Sequence, residues 1–277
     1  MQSQFRYCFN TSTVQGQKLT LVEEIELAAA AGYDAIEPWI GELDIYVANG
    51  GSLPDLKRLI EDHGLTVEGA IGFFEWIVDD DKARAAGLAE ARRNMEMLAQ
   101  IDGKHIAAPP WGAHEQSGID LFKAAERYRA LLEIGDETGV VPMVEVWGFS
   151  KSLNRLGEAA LIAAESGHSK ACILCDVYHL YKGGSPVSAL SLLNGAALPV
   201  FHVNDYPAIA PSAIQDADRV YPGDGIAPLA DIFRTLRAIG FDGYLSLELF
   251  NKDYYEQDAV LVARTGLEKL RAVVEGL

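Results

Sequence analysis

The sequence predicts an α/β fold, a single (β/α)8 TIM barrel spanning residues 1–277. Three observations predict it. Short apolar or β-branched runs alternate with longer amphipathic stretches, the pattern of repeated βα units around a parallel sheet. A glycine closes successive helical stretches at Gly32, Gly64, Gly139, Gly167 and Gly240, where a left-handed cap is needed. The length, 277 residues, suits one barrel of about 250 residues, large enough to bury a core without disulfide staples.

The elements follow in order. A first strand is expected at Phe5–Phe9, with helix Leu19–Ala31 behind it. Strand Ala35–Glu37 leads to helix Leu53–His63, and strand Thr66–Ile71 to helix Lys82–Gln100. Strand His105–Ala108 precedes helix Gly118–Thr138, and strand Met143–Val146 precedes helix Leu153–Ser166. Strand Ala171–Asp176 is followed by helix Pro186–Leu193, strand Val200–Asn204 by helix Ala227–Ile239, and strand Tyr244–Leu249 by helix Asp253–Val274. No G-x-G-x-x-G follows the first strand, which argues against a dinucleotide fold. No linker or composition shift divides the chain. The long connection from Asp205 to Ile226 marks a functional loop.

Composition narrows the partners. The formal net charge is −17, and an acidic surface repels phosphate backbones and anionic lipid. No nucleic acid and no membrane are therefore expected as partners, although the same charge also serves plain solubility. No apolar run approaches the roughly 20 residues of a membrane span. Met1 to Phe9 lacks a basic stretch followed by a long apolar run, so the expected location is cytoplasmic. Cys172 and Cys175 form a C-x-x-C, but they lie within one apolar strand. Residues three apart on a strand point to opposite faces, so buried thiols are expected rather than a redox pair.

In such a barrel the active site lies at the C-terminal ends of the strands. Glu145, Asp176, His202 and Glu248 each stand inside or just after an apolar strand, on four consecutive strands. Any one of them alone reads as an ion-paired rim residue. Together they form a costly convergence of charge unless a cation neutralises it. Oxygen and imidazole donors suit one divalent ion, Mn²⁺, Mg²⁺, Co²⁺ or Zn²⁺. His63, His105 and His168 fall at the bottom of the barrel, His114 in a rim loop, and only His179 and His202 fit the ligand pattern. The tryptophans, Trp39, Trp76, Trp111 and Trp147, all follow strand ends, with Phe9, Phe73 and Phe74 nearby. Aromatic faces there would pack against the C–H faces of a sugar and close a pocket against water. Packing of the rim, or contact with a second subunit in a homo-oligomer, is the alternative use.

These residues resemble the sugar phosphate isomerase/epimerase superfamily, the xylose isomerase-like barrels, over nearly the whole chain. The resemblance rests on Glu145 at a strand end, the D-x-x-H of Asp176 and His179, and the H-V-x-D of His202 to Asp205. The region of Arg219 and the final Leu247-Glu248 complete it. It implies that Glu145, Asp176, His202 and Glu248 bind the metal and that Glu145 and Glu248 act as acid and base. It makes His179 and Arg219 contacts to substrate oxygens. The superfamily also holds AP endonucleases with three zinc ions and a D-R-H-x-x-x-G-x-G segment. Here Val220 stands at the position of that histidine, and a mononuclear site with a small sugar or polyol substrate is expected instead. Arg219 lies farther from His202 than in the epimerases, which leaves its role and the substrate open. The expected activity is metal-dependent isomerisation or epimerisation of a ketose or related hydroxy-ketone through an enediolate. The alternatives are a dehydratase of a polyol or keto acid on the same barrel, of the inosose or dehydroshikimate kind, and a non-catalytic sugar-binding barrel.

Overall fold

In the computed structural model, which describes residues 5–277, strands and helices alternate along the chain. The strands are β1 (Arg6–Asn10), β2 (Ala35–Glu37), β3 (Thr66–Val67), β4 (His105–Ala108), β5 (Val141–Glu145), β6 (Cys172–Asp176), β7 (Val200–Val203) and β8 (Tyr244–Leu247). They form one sheet in the order β3-β2-β1-β8-β7-β6-β5-β4, so chain neighbours are spatial neighbours and the first strand meets the last. Every pairing in it is parallel. The β3–β4 seam has no regular ladder. It is closed by the Lys104 N–H donating to the Val67 carbonyl at 3.1 Å and the Ala107 N–H to the Ala70 carbonyl at 2.9 Å.

The helices are α1 (Leu21–Ala31), α2 (Ile40–Ala48), α3 (Leu53–Asp62), α4 (Asp81–Ala99), α5 (Leu121–Thr138), α6 (Leu156–Glu165), α7 (Val177–Lys182), α8 (Leu229–Ala238), α9 (Lys252–Tyr255) and α10 (Ala259–Glu275). The five glycines expected as caps all have positive φ, between 61° at Gly167 and 94° at Gly32. No helix among the described residues is long and apolar enough to cross a membrane.

Several elements differ from expectation. Helix α7, which begins directly at the Asp176 cap, was not expected. Strand three forms a regular ladder only over Thr66–Val67, and the chain meets the residues after β2 at one isolated parallel bridge, Trp39 with Ile71. Helix α2 was not foreseen; it starts where the Glu42 carboxylate accepts from the Trp39 N–H at 2.9 Å. The stretch Pro186–Leu193 is a 3₁₀ helix, Val187–Leu192, with no side-chain cap at its start. The single helix expected at Asp253–Val274 is two, because Asn251 caps one start and Asp258 caps another.

The pleat of the strands sorts the core into layers. Inward positions Ala107, Met143, Cys172, Leu174 and Val200 pack with Ile71 into an apolar plug inside the barrel. Outward positions such as Phe9, Ile36, Val144, Cys175, Phe201 and Leu245 pack beneath the helices. Cys172 and Cys175 thus lie on opposite faces, both buried and free of disulfide. Continuing the inward period of two up β5, β6 and β7 above the plug gives Glu145, Asp176 and His202, and on β8 it gives Ser246 and then Glu248.

Two helix glycines test this packing in opposite directions. A Cβ at Gly135 in α5 would lie 2.6 Å from the Val140 carbonyl oxygen and 2.9 Å from Pro142 Cδ, whereas one at Gly157 in α6 meets nothing within 4 Å. Ala normally gains about 1 kcal/mol over Gly in a helix, but overpacking costs about 1–3 kcal/mol. Gly157→Ala should therefore raise the urea midpoint and Gly135→Ala lower it. Equal shifts of one sign would refute the packing described.

Candidate metal centre and substrate cavity

His202 is the hub of the polar cluster above the plug. It pairs in register with Asp176 on one side and Ser246 on the other, and Ser246 in turn with Cys8. Its Nε2 lies 2.9 Å from Glu37 Oε2. The same oxygen accepts from Asn10 Nδ2 at 2.9 Å and from the Ser246 hydroxyl at 2.7 Å. Glu37 thereby fixes the ring, and its Nδ1 is turned toward Glu248 Oε2 at 3.2 Å and Asp176 Oδ2 at 3.9 Å, with no hydrogen bond of its own. Asp176, His202 and Glu248 offer three ligand atoms within 4.8 Å of one another, the arrangement a divalent ion requires. A carboxylate behind the imidazole is the usual support of a metal-bound histidine.

The remaining donors hold the acids in place. Asp176 sits at the N-cap of α7 and accepts from the His179 N–H at 2.8 Å through Oδ1. Its Oδ2 accepts from Asn204 Nδ2 and from Arg219 Nη1, both at 2.9 Å. Arg219 Nη1 also donates to Glu248 Oε2 at 2.8 Å, and Nη2 to Asp216 Oδ1 at 2.6 Å. Asp205 is not part of the cluster. It accepts from the N–H groups of Tyr206, Gly223, Gly225 and Ala227 and so pins both ends of the long loop that carries Arg219.

Charge in this space is strongly biased. Burial raises the Glu145 pKa to about 8, helped by Glu248 and Asp176. Glu248 is buried too, but His202 and Arg219 hold its pKa below the usual carboxylate range. Burial works against a charged His202, yet Glu248 and Glu37 raise its pKa well above the ordinary value. Burial and the Arg219 charge press His179 down to about 4, although Asp176 opposes them. His179 Nδ1 accepts from the Gly148 N–H at 3.3 Å, and its Nε2 lies 3.4 Å from Arg219 Nη2.

Above the cluster lies a cavity of about 230 Å³. Glu145, His179, Asp216, Arg219 and Glu248 form its polar side, and Asp176, His202 and Glu37 lie beneath the floor without exposed surface. Its apolar side is a run of rings: Phe250 on Trp39, Trp39 on Phe73, Phe73 on Trp111 and Trp147, and Trp147 on Phe149, with centroids 4.9–6.2 Å apart. Trp39 Nε1 donates to Asn10 Oδ1 at 3.1 Å, which ties this wall to the carboxylate cluster.

The structure thus brings together Asp176, His202 and Glu248, with Glu145 on the same cavity but outside the tight group of ligand atoms. Trp39, Trp111 and Trp147 line the cavity. Trp76 does not: it is wholly buried, its Nε1 donates to the Pro109 carbonyl at 2.7 Å, and it packs against Tyr128. Phe73 reaches the cavity, whereas Phe9 and Phe74 belong to the core under the helices. Glu37 and Asn10 were missed, although each ends an apolar strand in the same way as the residues found. Phe149 and Phe250 were missed as well.

The sequence pattern of the xylose isomerase-like TIM barrel family matches residues 25–273. Inosose isomerase of Bacillus velezensis is 27% identical over 275 residues, covering 97% of both chains. A 3-dehydroshikimate dehydratase of Pseudomonas aeruginosa is 26% identical over 264 residues, which span 91% of this chain and 39% of that protein. The crystal structure of IolI protein with a bound zinc atom superposes with a TM-score of 0.91 at 24% identity, covering 98% of this chain and 99% of that one.

The raised proton affinity of Glu145 has a consequence for stability. Its pKa moves from 4.5 to about 8 on folding, so between those values the folded protein holds a proton that the unfolded chain has lost. Its contribution to stability is present below pH 4.5 and is lost as pH rises through 8. Glu24, a buried acid of α1 raised to about 9, adds a similar slope. In chelator-treated protein, Glu145→Gln should flatten the decline in Tm between pH 5 and 8. Parallel Tm profiles for parent and variant would contradict the burial of Glu145.

Proposed function

The chain belongs to the xylose isomerase-like TIM barrel family, and from that premise we propose that it is a metal-dependent isomerase or epimerase of a hydroxy-ketone, with a cyclic polyol ketone of the inosose kind as the favoured substrate. One observation carries the reading. Asp176, His202 and Glu248 set three ligand atoms within 4.8 Å of one another beneath a small cavity that Glu145 and Glu248 both line. Two carboxyls facing one substrate beside such a site can serve as its base and acid.

Asp176, His202 and Glu248 would hold the ion, and Glu145, outside that group of ligand atoms, faces the cavity beside it. The unpartnered His202 Nδ1 fits a ligand of that ion. When bound, a divalent ion supplies Lewis acidity to a carbonyl and its neighbouring hydroxyl. Glu248, ionised, removes the proton from the carbon between them, and Glu145, protonated, returns one to the other face or the adjacent carbon. His179, on the polar side of the same cavity, contacts a substrate oxygen. Trp39, Phe73, Trp111 and Trp147 cover the C–H faces of the ring and keep water from the carbanion.

The cavity favours a small uncharged substrate. Its volume is below the roughly 300–1,000 Å³ of sites for drug-sized ligands. Among the described residues, Arg219 is the one arginine or lysine on its lining; Lys151 pairs with Glu115 and Arg155 donates to the Gly184 carbonyl, away from the cavity. Similarity to an inosose isomerase over the full length of both chains agrees with this choice. Dehydration is the second reading. A protonated Glu145 can equally donate to a departing β-hydroxyl, and relatives include a 3-dehydroshikimate dehydratase.

The protein should bind one equivalent of Mn²⁺ or Zn²⁺ by elemental analysis, and Asp176→Ala should lose that ion while its circular dichroism is unchanged. A parent protein that retains no ion after loading would remove the metal from the proposal.

The loaded protein, incubated with inosose in D₂O, should place deuterium on the carbon next to the carbonyl. Glu145→Gln and Glu248→Gln should each lower turnover by about 10²–10⁴-fold. They should differ in which exchange survives, since each glutamate serves one proton transfer. Exchange and turnover at the parent rate in both variants would sink the mechanism, and loss of water from the substrate would select the dehydratase reading.

A further inference from the structure

Arg219 is the largest charged side chain wholly enclosed in the barrel, with 1% of its surface exposed. Its Nη1 donates to Asp176 Oδ2 at 2.9 Å and to Glu248 Oε2 at 2.8 Å. Those are the oxygens that stand nearest the bare His202 Nδ1, at 3.9 and 3.2 Å. A guanidinium and a divalent ion therefore make claims on the same two oxygens. Both are cations, and an ion on those oxygens draws off the negative charge that holds the guanidinium and repels it, which weakens the arginine's hold.

The surroundings of Arg219 give it somewhere to go. The backbone on either side is fixed: Asp205 and Val220 exchange N–H to carbonyl bonds at 2.9 and 2.8 Å, and Asn251 Nδ2 donates to the Arg219 carbonyl at 2.8 Å. The side chain is held only by other side chains. Its Nη2 is anchored to Asp216, a residue 42% exposed at the cavity wall, while its Nε has no partner. The guanidinium lies across the Tyr178 ring, 4.4 Å from the centroid, with the Phe250 ring at 4.9 Å. A flat cation between two rings can slide without leaving its stack. Asp216 and Arg219 both line the cavity, so movement toward Asp216 is movement toward substrate.

We propose that Arg219 is an internal counter-ion that occupies the Asp176–Glu248 oxygen pair until a divalent ion takes it, and that the released guanidinium, tethered by Asp216, then becomes a donor to substrate oxygen. The inference rests on the metal reading of Asp176, His202 and Glu248. It adds an order of binding, in which the ion comes first and the substrate-facing donor becomes available only afterwards. It also sets the affinity for the ion below what the three ligands alone would give, because each ion bound must displace a cation.

The test follows the arginine directly. In ¹⁵N-labelled full-length protein stripped with a chelator, the Arg219 Nε–H signal is assigned through its contacts with the Tyr178 and Phe250 rings. Zn²⁺ alone is then added, with binding followed in parallel by calorimetry. The expected result is a shift of the Arg219 signal that completes at one equivalent, with the signals of the more exposed arginines unmoved. Arg219→Met should bind Zn²⁺ at least about fivefold more tightly, the low end of ordinary coupling between sites. Its Tm without zinc should be lower than that of the parent. Zinc binding that leaves the Arg219 signal in place overturns the inference but spares the metal reading. Calorimetry without binding removes the metal reading and the inference together. If Arg219→Met does not fold, the titration of the parent protein still decides.

Discussion

Four carboxylates, Glu37, Glu145, Asp176 and Glu248, converge on one imidazole in a space almost without water, and the top of the barrel is organised around that concentration of negative charge. An isolated carboxylate transferred to such a place costs several kcal/mol. The chain meets the cost in three ways. Neutral donors from Asn10, Ser246, Asn204 and the His179 backbone solvate particular oxygens. Arg219 contributes one fixed positive charge. Protons raised onto Glu145 and His202 cover much of the rest. A divalent ion can replace those protons, which couples metal affinity, proton inventory and stability in one cluster.

The apolar wall is not independent of this cluster. Asn10 accepts from Trp39 Nε1 and donates to both Glu37 and Glu248. Trp39 in turn sits under the start of α2, where Glu42 accepts from its backbone N–H and from the Thr11 hydroxyl. A short chain of hydrogen bonds therefore runs from helix α2 through one indole to the oxygens that would bind the ion. The rings that line the cavity and the acids beneath them are held in register by the same two or three side chains.

Much of this is legible in the sequence. A charge interrupting an apolar strand is conspicuous, and Glu145, Asp176, His202 and Glu248 stand out by that signal on four consecutive strands. Glu37 carries the same signal after Ala35-Ile36 but stands apart from that run, on strand two. Asn10, Asn204 and Ser246 are neutral and cannot be told from ordinary polar residues at strand ends; only their bonds to the acids distinguish them. Trp76 follows a strand end like the other tryptophans, yet its loop folds back and gives the indole N–H a buried carbonyl. The fold was easier to read, because periodicity and capping glycines are local. Helix α2 and the split before α10 depend on caps from Glu42 and Asp258 that lie inside otherwise continuous patterns. The contact of Arg219 with the metal-ligand oxygens joins residues 43 apart and 29 apart in the chain, which no local pattern encodes.

The carboxylate of Asp205 gathers backbone N–H groups from Tyr206 at the start of the long loop and from Gly223, Gly225 and Ala227 at its end. The loop is thus a closed eyelet threaded on one side chain, and its length is decoupled from the position of its feet. Arg219 sits beside the clasp, one residue before Val220, which pairs with Asp205 itself. The exposed apex, residues 210–213, is therefore a segment that evolution or a designer can rewrite with little disturbance to the guanidinium, whereas Ile214 is buried and its carbonyl accepts from Tyr178 and Lys182. In this barrel the substrate's outer surroundings and its innermost charge can vary independently, and Asp205 is the joint between them.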